Sequence, residues 1–290
     1  MNRCLRTVAA SLFACACLAP GLVRAEPIPY PIRDGNFLDS DWQVTALTPD
    51  TEQSAERVED GGNPGAYRHM VQQLPAGKFV SILHVRLGDE AIYRPAERGA
   101  IAGITYSEDR KEFDPPVPGA AVGALFAIQQ GEHTFFSVTD MTFSNTDWAN
   151  RKLVCLKPED FLMSDNQLPD FSATAEPIRF GILRTNTNSG GTPLEIEHGL
   201  DNFRVSVFPA PNPDCVTCEG FEDAMFCGEM NGDCKITAAD ALIILQIAVA
   251  IRPRHPAGDL DFSGKVTSSD ALKDLRVAVQ IDVQSQACNG

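Results

Sequence analysis

Residues 259–270 read Asp259-Leu260-Asp261-Phe262-Ser263-Gly264-Lys265-Val266-Thr267-Ser268-Ser269-Asp270. Thirty positions earlier the chain reads Glu229-Met230-Asn231-Gly232-Asp233-Cys234-Lys235-Ile236-Thr237-Ala238-Ala239-Asp240. The two align without a gap. The match runs on through Ala241/Ala271, Leu242/Leu272, Leu245/Leu275, Ala248/Ala278 and Val249/Val279. On a helix these residues fall on one i, i+3/i+4, i+7 stripe. A loop-plus-helix unit repeated once predicts two helices packed against each other through equivalent faces.

The loops carry the oxygen pattern of a calcium site. Side-chain oxygens at loop positions 1, 3 and 5, a main-chain carbonyl at 7, a group at 9 and a carboxylate at 12 converge on one hard cation. In the second copy these are Asp259, Asp261, Ser263, Lys265 through its carbonyl, Thr267 and Asp270, with Gly264 at the sharp turn of position 6. In the first copy they are Glu229, Asn231, Asp233, Lys235 through its carbonyl, Thr237 and Asp240. There the glycine is replaced by Cys234, whose β-carbon disfavours the left-handed turn. Two Ca2+ sites are expected, the second the better formed. A decayed first copy pinned by a disulfide is the alternative for the first.

On these residues, 229–282 resembles a type I dockerin: two tandem loop-helix repeats with Asp at loop position 12, followed by an Ala-Leu-x-x-Leu helix. The resemblance implies calcium-dependent folding and docking on a cohesin-type partner. Dockerin recognition lies at loop positions 10 and 11, here Ala238-Ala239 and Ser268-Ser269. The two faces therefore differ, which argues against interchangeable docking modes. Helix one also carries Ile243, Ile244, Ile247 and Ile251, where helix two has Lys273, Asp274, Val277 and Ile281. A helix apolar on all sides must be covered. A partner face and packing against the rest of the chain are both open, and Ile243 and Ile244 are the partner-face candidates.

Upstream the character is different. Residues 26–208 hold short β-branched and aromatic runs with period two, separated by Gly-, Pro- and Asn-rich turns such as Gly61-Gly62-Asn63-Pro64-Gly65. Nine strands are expected, from Trp42–Leu47 to Asn202–Phe208, with one helical turn at Lys157–Phe161. That count and spacing predict a β-sandwich of jelly-roll type. The stretch opens on Asn36-Phe37-Leu38-Asp39-Ser40-Asp41-Trp42 and closes on Gly199-Leu200-Asp201-Asn202-Phe203. In this it resembles galactose-binding-like and other carbohydrate-binding jelly rolls. The resemblance implies glycan recognition and makes Asp201 a candidate for a structural calcium, against an ordinary turn aspartate. Sugar binding needs flat rings with polar neighbours; Trp42, Tyr67, Tyr93, Tyr106 and Trp148 are available.

Residues 1–25 read as an export signal. Arg3 and Arg6 precede an apolar run, and Val23-Arg24-Ala25 fits a cleavage site. Removal of Arg3, Arg6 and Arg24 takes the net charge from −15 to −18. It also leaves six cysteines: Cys155, Cys215, Cys218, Cys227, Cys234 and Cys288. An even number in an exported chain reads as disulfides. The spacing from Cys215 to Cys234 can also be drawn as a four-thiolate zinc site, which an oxidising compartment disfavours. Residues 209–228 form a Pro- and Cys-rich linker to the dockerin-like part, 229–290.

The acidic balance argues against nucleic acid and anionic lipid as partners, and no later stretch is apolar enough to span a membrane. No Gly-x-Ser-x-Gly elbow, His-Glu-x-x-His or phosphate loop occurs. Asp89, Glu90, Asp140, Glu195 and Glu197 are unpaired in sequence, and the histidines at 69, 84, 133 and 198 read as solvated. The expected protein is mainly β, a sandwich followed by a small α-helical dockerin-like domain. It is secreted or at the cell surface (a periplasmic location also fits), binds calcium, and is non-catalytic in polysaccharide recognition. The alternatives are a glycoside hydrolase or lyase in the β-domain, or a structural surface protein with intramolecular calcium repeats.

Overall fold

The structure, a computed structural model, describes residues 29–113, 120–138, 144–162, 167–210, 228, 230, 236–252, 254–255, 258–261, 263 and 265–281. The expected export signal at 1–25, Asp140, the cysteines at 215, 218, 227, 234 and 288, and Glu229, Asn231, Asp233 and Lys235 lie outside the described residues.

Two antiparallel sheets face each other. The first contains β1 (Tyr30–Asp34), β3 (Gln53–Gly62), β4 (Gly65–Leu74), β7 (Ile101–Glu112), β10 (Ala149–Leu156) and β13 (Leu194–Pro209). Its order is β10-β7-β13-β4-β3, with β1 also on β13. The second contains β2 (Trp42–Ala46), β5 (Phe79–Arg86), β6 (Ile92–Tyr93), β8 (Ala120–Gln130), β9 (His133–Ser137), β11 (Phe161–Leu162) and β12 (Ile178–Asn188). Its order is β11-β9-β8-β12-β5-β2, with β6 on β12. Short helix α1 (Pro95–Arg98) follows β6. Helices α2 (Ala238–Ala248) and α3 (Ser268–Ala278) close the described chain.

All nine expected strands are present, and the turn at 158–160 is a 3-10 helix. Four strands were missed. β3 reads Gln-Ser-Ala-Glu-Arg-Val-Glu-Asp-Gly-Gly; it is an edge strand paired with β4 alone and has little to bury. β1 hides among prolines, which an edge tolerates. β6 and β11 are two residues each.

β13 organises the first sheet. Leu194 to Leu200 pairs with β4, and Phe203 to Val207 pairs with β1. The change of partner falls at a bulge between Asp201 and Arg204, where Asn202 takes φ 49°. Asparagine tolerates that left-handed turn. The extra residue shifts the alternation by one, so Ile196, His198 and Leu200 point inward before it and Phe203, Val205 and Val207 after it.

The Phe37 and Trp42 rings quoted above stack in the core, 6.2 Å apart. The Trp42 indole N–H donates to Asp34 Oδ2 at 2.7 Å, and Arg86 reaches the same carboxylate at 2.9 Å. Tyr106 stacks on Phe126 at 4.4 Å. Between the two sheets the apolar core is in two pieces, a large one holding Met70, Phe126, Phe180, Ile182 and Leu200, and a small one holding Leu74, Val80, Ile82 and Ile196.

A polar seam separates them. Along β4, Gln72 sits between Met70 and Leu74; along β13, His198 sits between Ile196 and Leu200. Arg184 and Asn186 follow Ile182 on β12. Arg184 pairs with Glu108 of the opposite sheet, and Asn186 donates to Gln72. His84 and His198 are buried beside them, at 1% and 0% exposure. The expectation of solvated histidines is therefore wrong for these two, because their parity along the strand places them inward.

The helical pair also departs from expectation. Only the alanines at 241 and 271 of the shared stripe are buried. Its large apolar side chains lie outward: Leu242, Leu245 and Val249 are exposed, and so are Leu272, Leu275 and Val279. The buried positions are Ala241, Ile244 and Ile247 on α2 and Ala271 and Asp274 on α3. The helices meet on the neighbouring face, where alanine allows close approach. Ile244 is fully buried and Ile243 partly so, in a cluster that includes Phe208 of β13 and Ala102 of β7. Ile244 is therefore not exposed for a partner, whereas Ile243 is only partly covered.

Candidate functional site: an oxygen-lined loop and an aromatic patch

At the second repeat, one carboxylate oxygen each of Asp259, Asp261 and Asp270 lie within 4.8 Å of one another. The chain builds this locally. Thr267 caps α3, its hydroxyl accepting from the Ser269 N–H at 3.2 Å. Asp270 Oδ2 accepts from the Thr267 N–H at 2.8 Å and from its hydroxyl at 2.7 Å. Asp270 Oδ1 accepts from the Leu260 N–H at 2.9 Å, pulling the start of the loop onto its end. Ser263 N–H donates to Asp259 Oδ1 at 3.0 Å and to Asp261 Oδ1 at 3.1 Å. The Ser263 hydroxyl and amide hold the Asp261 carboxyl below its usual range. The Ser263 hydroxyl also reaches the Lys265 carbonyl at 3.2 Å. Three carboxylates, a hydroxyl and a carbonyl form an all-oxygen donor set, which fits a hard cation such as Ca2+.

The first repeat carries the same frame. Asp240 Oδ1 accepts from the Met230 N–H at 2.8 Å, and Oδ2 accepts from the Thr237 N–H at 2.9 Å. These are the bonds of Asp270, displaced by thirty residues. Ala238, Ala239, Ser268 and Ser269 are all exposed. Cys155, at φ 55° in β10, is disulfide-bonded, and it is the one cysteine among the described residues.

Of the five candidate rings, Trp42, Tyr93 and Tyr106 are core. Trp148 and Tyr67 meet on the outer face of the first sheet, 5.4 Å apart. Phe113 lies 5.5 Å from Tyr67 and 6.4 Å from Trp148; His69 lies 5.3 Å from Phe113. The indole N–H of Trp148 donates to the Gly61 carbonyl at 2.9 Å. Its ring lies over Gly199, where a methyl group would come within 2.5 Å of Cη2. Polar groups rim the patch: Glu197 bonded to His69 at 3.0 Å, Glu195 bonded to Gln73, and the Lys111 ammonium 5.0 Å from the Phe113 ring. Phe113, His69 and Gly199 were missed in the sequence. Strand parity could have found His69 and Gly199, which pair in register across β4 and β13.

The Asp201 carboxylate accepts from the Asn63 and Asn202 amides and closes the β3–β4 turn onto the bulge, and burial raises its pKa. Among the described catalytic candidates, Asp89 pairs with Arg94 and Glu90 with Arg86. Glu195 and Glu197 stand on the same side of β13, where Glu197 is bonded to His69 and Glu195 accepts from Gln73. The centre of the second sheet's outer face is aliphatic, with Leu83, Leu125 and Leu183 buried there.

No family model matches the chain, and no curated protein matches it. Among solved structures, it is similar to a family 11 carbohydrate-binding module from Clostridium thermocellum in complex with a β-1,3-1,4-mixed-linked tetrasaccharide. Identity is 10% over 63% of this chain and 97% of that one, with a TM-score of 0.38. A xylan-binding domain from Paenibacillus barcinonensis matches at 8% identity over 64% and 96%, with a TM-score of 0.31. A glycoside hydrolase domain of Endo-D from Streptococcus pneumoniae matches at 12% over 57% and 21%, with a TM-score of 0.32. These scores describe a loose likeness of strand arrangement.

Proposed function

We propose that this is an exported, calcium-binding, non-catalytic protein whose sandwich recognises glycan through the Trp148 patch. The observation that carries the glycan reading is the half-buried Trp148 ring, laid over Gly199 and bordered by Glu197, His69 and Lys111. A flat apolar face with hydrogen-bonding groups at its edge suits a pyranose ring. The expected result is retention on β-glucan or xylan in affinity electrophoresis. Trp148→Ala should weaken it by about tenfold, as for a central aromatic anchor, while Phe79→Ala, an exposed ring on the other sheet, should leave it unchanged. Equal retention of the Trp148 variant would sink the assignment.

The C-terminal pair is proposed to be dockerin-like and to take Ca2+ at Asp259, Asp261, Ser263, Lys265, Thr267 and Asp270. A second, weaker site would use Glu229, Asn231, Asp233, Lys235, Thr237 and Asp240. In titration calorimetry of the full chain, Asp259→Ala should abolish one binding event. Cohesin-type docking would use the outward face, where Ala238, Ala239, Ser268 and Ser269 adjoin Leu242, Leu245, Leu272 and Leu275. The disulfide at Cys155 supports an oxidising, extracellular or cell-surface location. A structural role for the repeats is the second reading; the burial of Ile244 and Ile247 together with Phe208 favours it.

A further inference from the structure

We infer that the calcium loop and the sandwich are one linked folding unit, so that a cation held at 259–270 stabilises the β-sandwich itself. The inference rests on the calcium reading above and adds what the cation does. Leu260 is at loop position 2, between the ligand candidates Asp259 and Asp261. It is 1% exposed and lies in the same apolar cluster as Phe208 of β13, which is 0% exposed. Its N–H is held by Asp270 Oδ1. The carboxylates that would meet the cation therefore fix the backbone from which Leu260 enters the shared core.

The first repeat does the same. Met230, the equivalent of Leu260, is buried in that cluster, with its N–H on Asp240 Oδ1. The sandwich contributes Phe208, Ala102 and Cys155; the helices contribute Ile244, Ile247, Ala271 and Val277. A second contact lies beside it, where the His255 ring meets the Tyr30 ring of β1 edge to face at 5.7 Å. Both β1 and Phe208 belong to the part of the first sheet organised by β13, so disorder in the loop exposes apolar surface on the sandwich. Ligand that binds only the folded state raises the stability of everything that unfolds with it.

Both tryptophans, Trp42 and Trp148, lie in the sandwich. Tryptophan fluorescence therefore reports sandwich unfolding, and circular dichroism at 222 nm adds the helices. Calcium binding is measured separately by calorimetry on the full oxidised chain. With calcium about a hundredfold above its Kd, the fluorescence Tm should rise by roughly 5–10 °C over the chelated protein, coincident with the dichroism transition. Ile244→Ala, which leaves every ligand of the second loop in place, should still bind calcium but lose most of that shift. Calcium binding with an unmoved fluorescence Tm overturns the linkage and leaves the calcium reading standing. A full shift in Ile244→Ala overturns it as well. No calcium binding at millimolar concentration overturns both.

Discussion

Replacing Glu108 by leucine is expected to cost about 3–5 kcal/mol of stability, among the largest single-residue effects in the molecule. Arg184 is 0% exposed and Glu108 2% exposed, and they pair across the two sheets. Removing the carboxylate leaves a guanidinium in an interior it cannot leave. By the scaling for a domain of this size, Tm should fall by roughly 6–20 °C. The double variant Glu108→Leu/Arg184→Met removes both charges and should recover most of the loss, since a buried pair and an apolar replacement are close in free energy. Guanidinium unfolding curves of the single and double variants check this. A single variant within about 1 kcal/mol of the parent would mean that the carboxylate is not what compensates Arg184.

Acidification is expected to unfold the protein through its buried histidines. Burial, then the guanidiniums of Arg68 and Arg184 and the neighbouring His198, hold the His84 pKa well below 6.5. Burial, then Arg184 and His69, do the same for His198. His255 is lowered to about 4 by burial and Arg98. Each is neutral in the fold, while in the unfolded chain each takes a proton near pH 6.5. Stability is therefore complete above that pH. It declines below it by about 1.4 kcal/mol per pH unit for each histidine, so about 4 kcal/mol per unit for the three, down to their folded values. Unfolding free energies at pH 7.5, 6.5 and 5.5 read the slope. His84→Gln and His198→Gln should each flatten it by one histidine's share, whatever they do to stability at pH 7.5. A profile flat to pH 5.5 would contradict neutral histidines in the core.

The polar seam shows where sequence reading loses its grip. Arg184, Asn186 and Asn188 share strand parity with Phe180 and Ile182, so the alternation that placed the strand also pointed the charge inward. Composition argued the other way, because arginine and histidine are seldom fully buried without partners. The partner of Arg184, Glu108, is 76 residues distant in the chain, and that of Asn186, Gln72, is 114. Only the facing of two sheets brings them together. Trp148 is a similar case: its platform needs Gly199 beneath it and Tyr67 and Phe113 beside it, residues from three other stretches.

The sequence by itself determined what is local. A pattern repeated at an interval of thirty residues placed α2 and α3 and the carboxylates of Asp240 and Asp270 at loop position 12, because the bonds those carboxylates make close within a dozen residues. Period-two alternation likewise determined nine strands and their class. The tertiary structure decided which face of each element is covered. The leucines and valines common to α2 and α3 resemble a core and stand in solvent, while Ile244, Met230 and Leu260 are buried in one cluster with Phe208. A helix shows in its sequence that it has an apolar side. Which of several apolar sides is buried depends on the surface that arrives to meet it, and here that surface is the sandwich's own last strand.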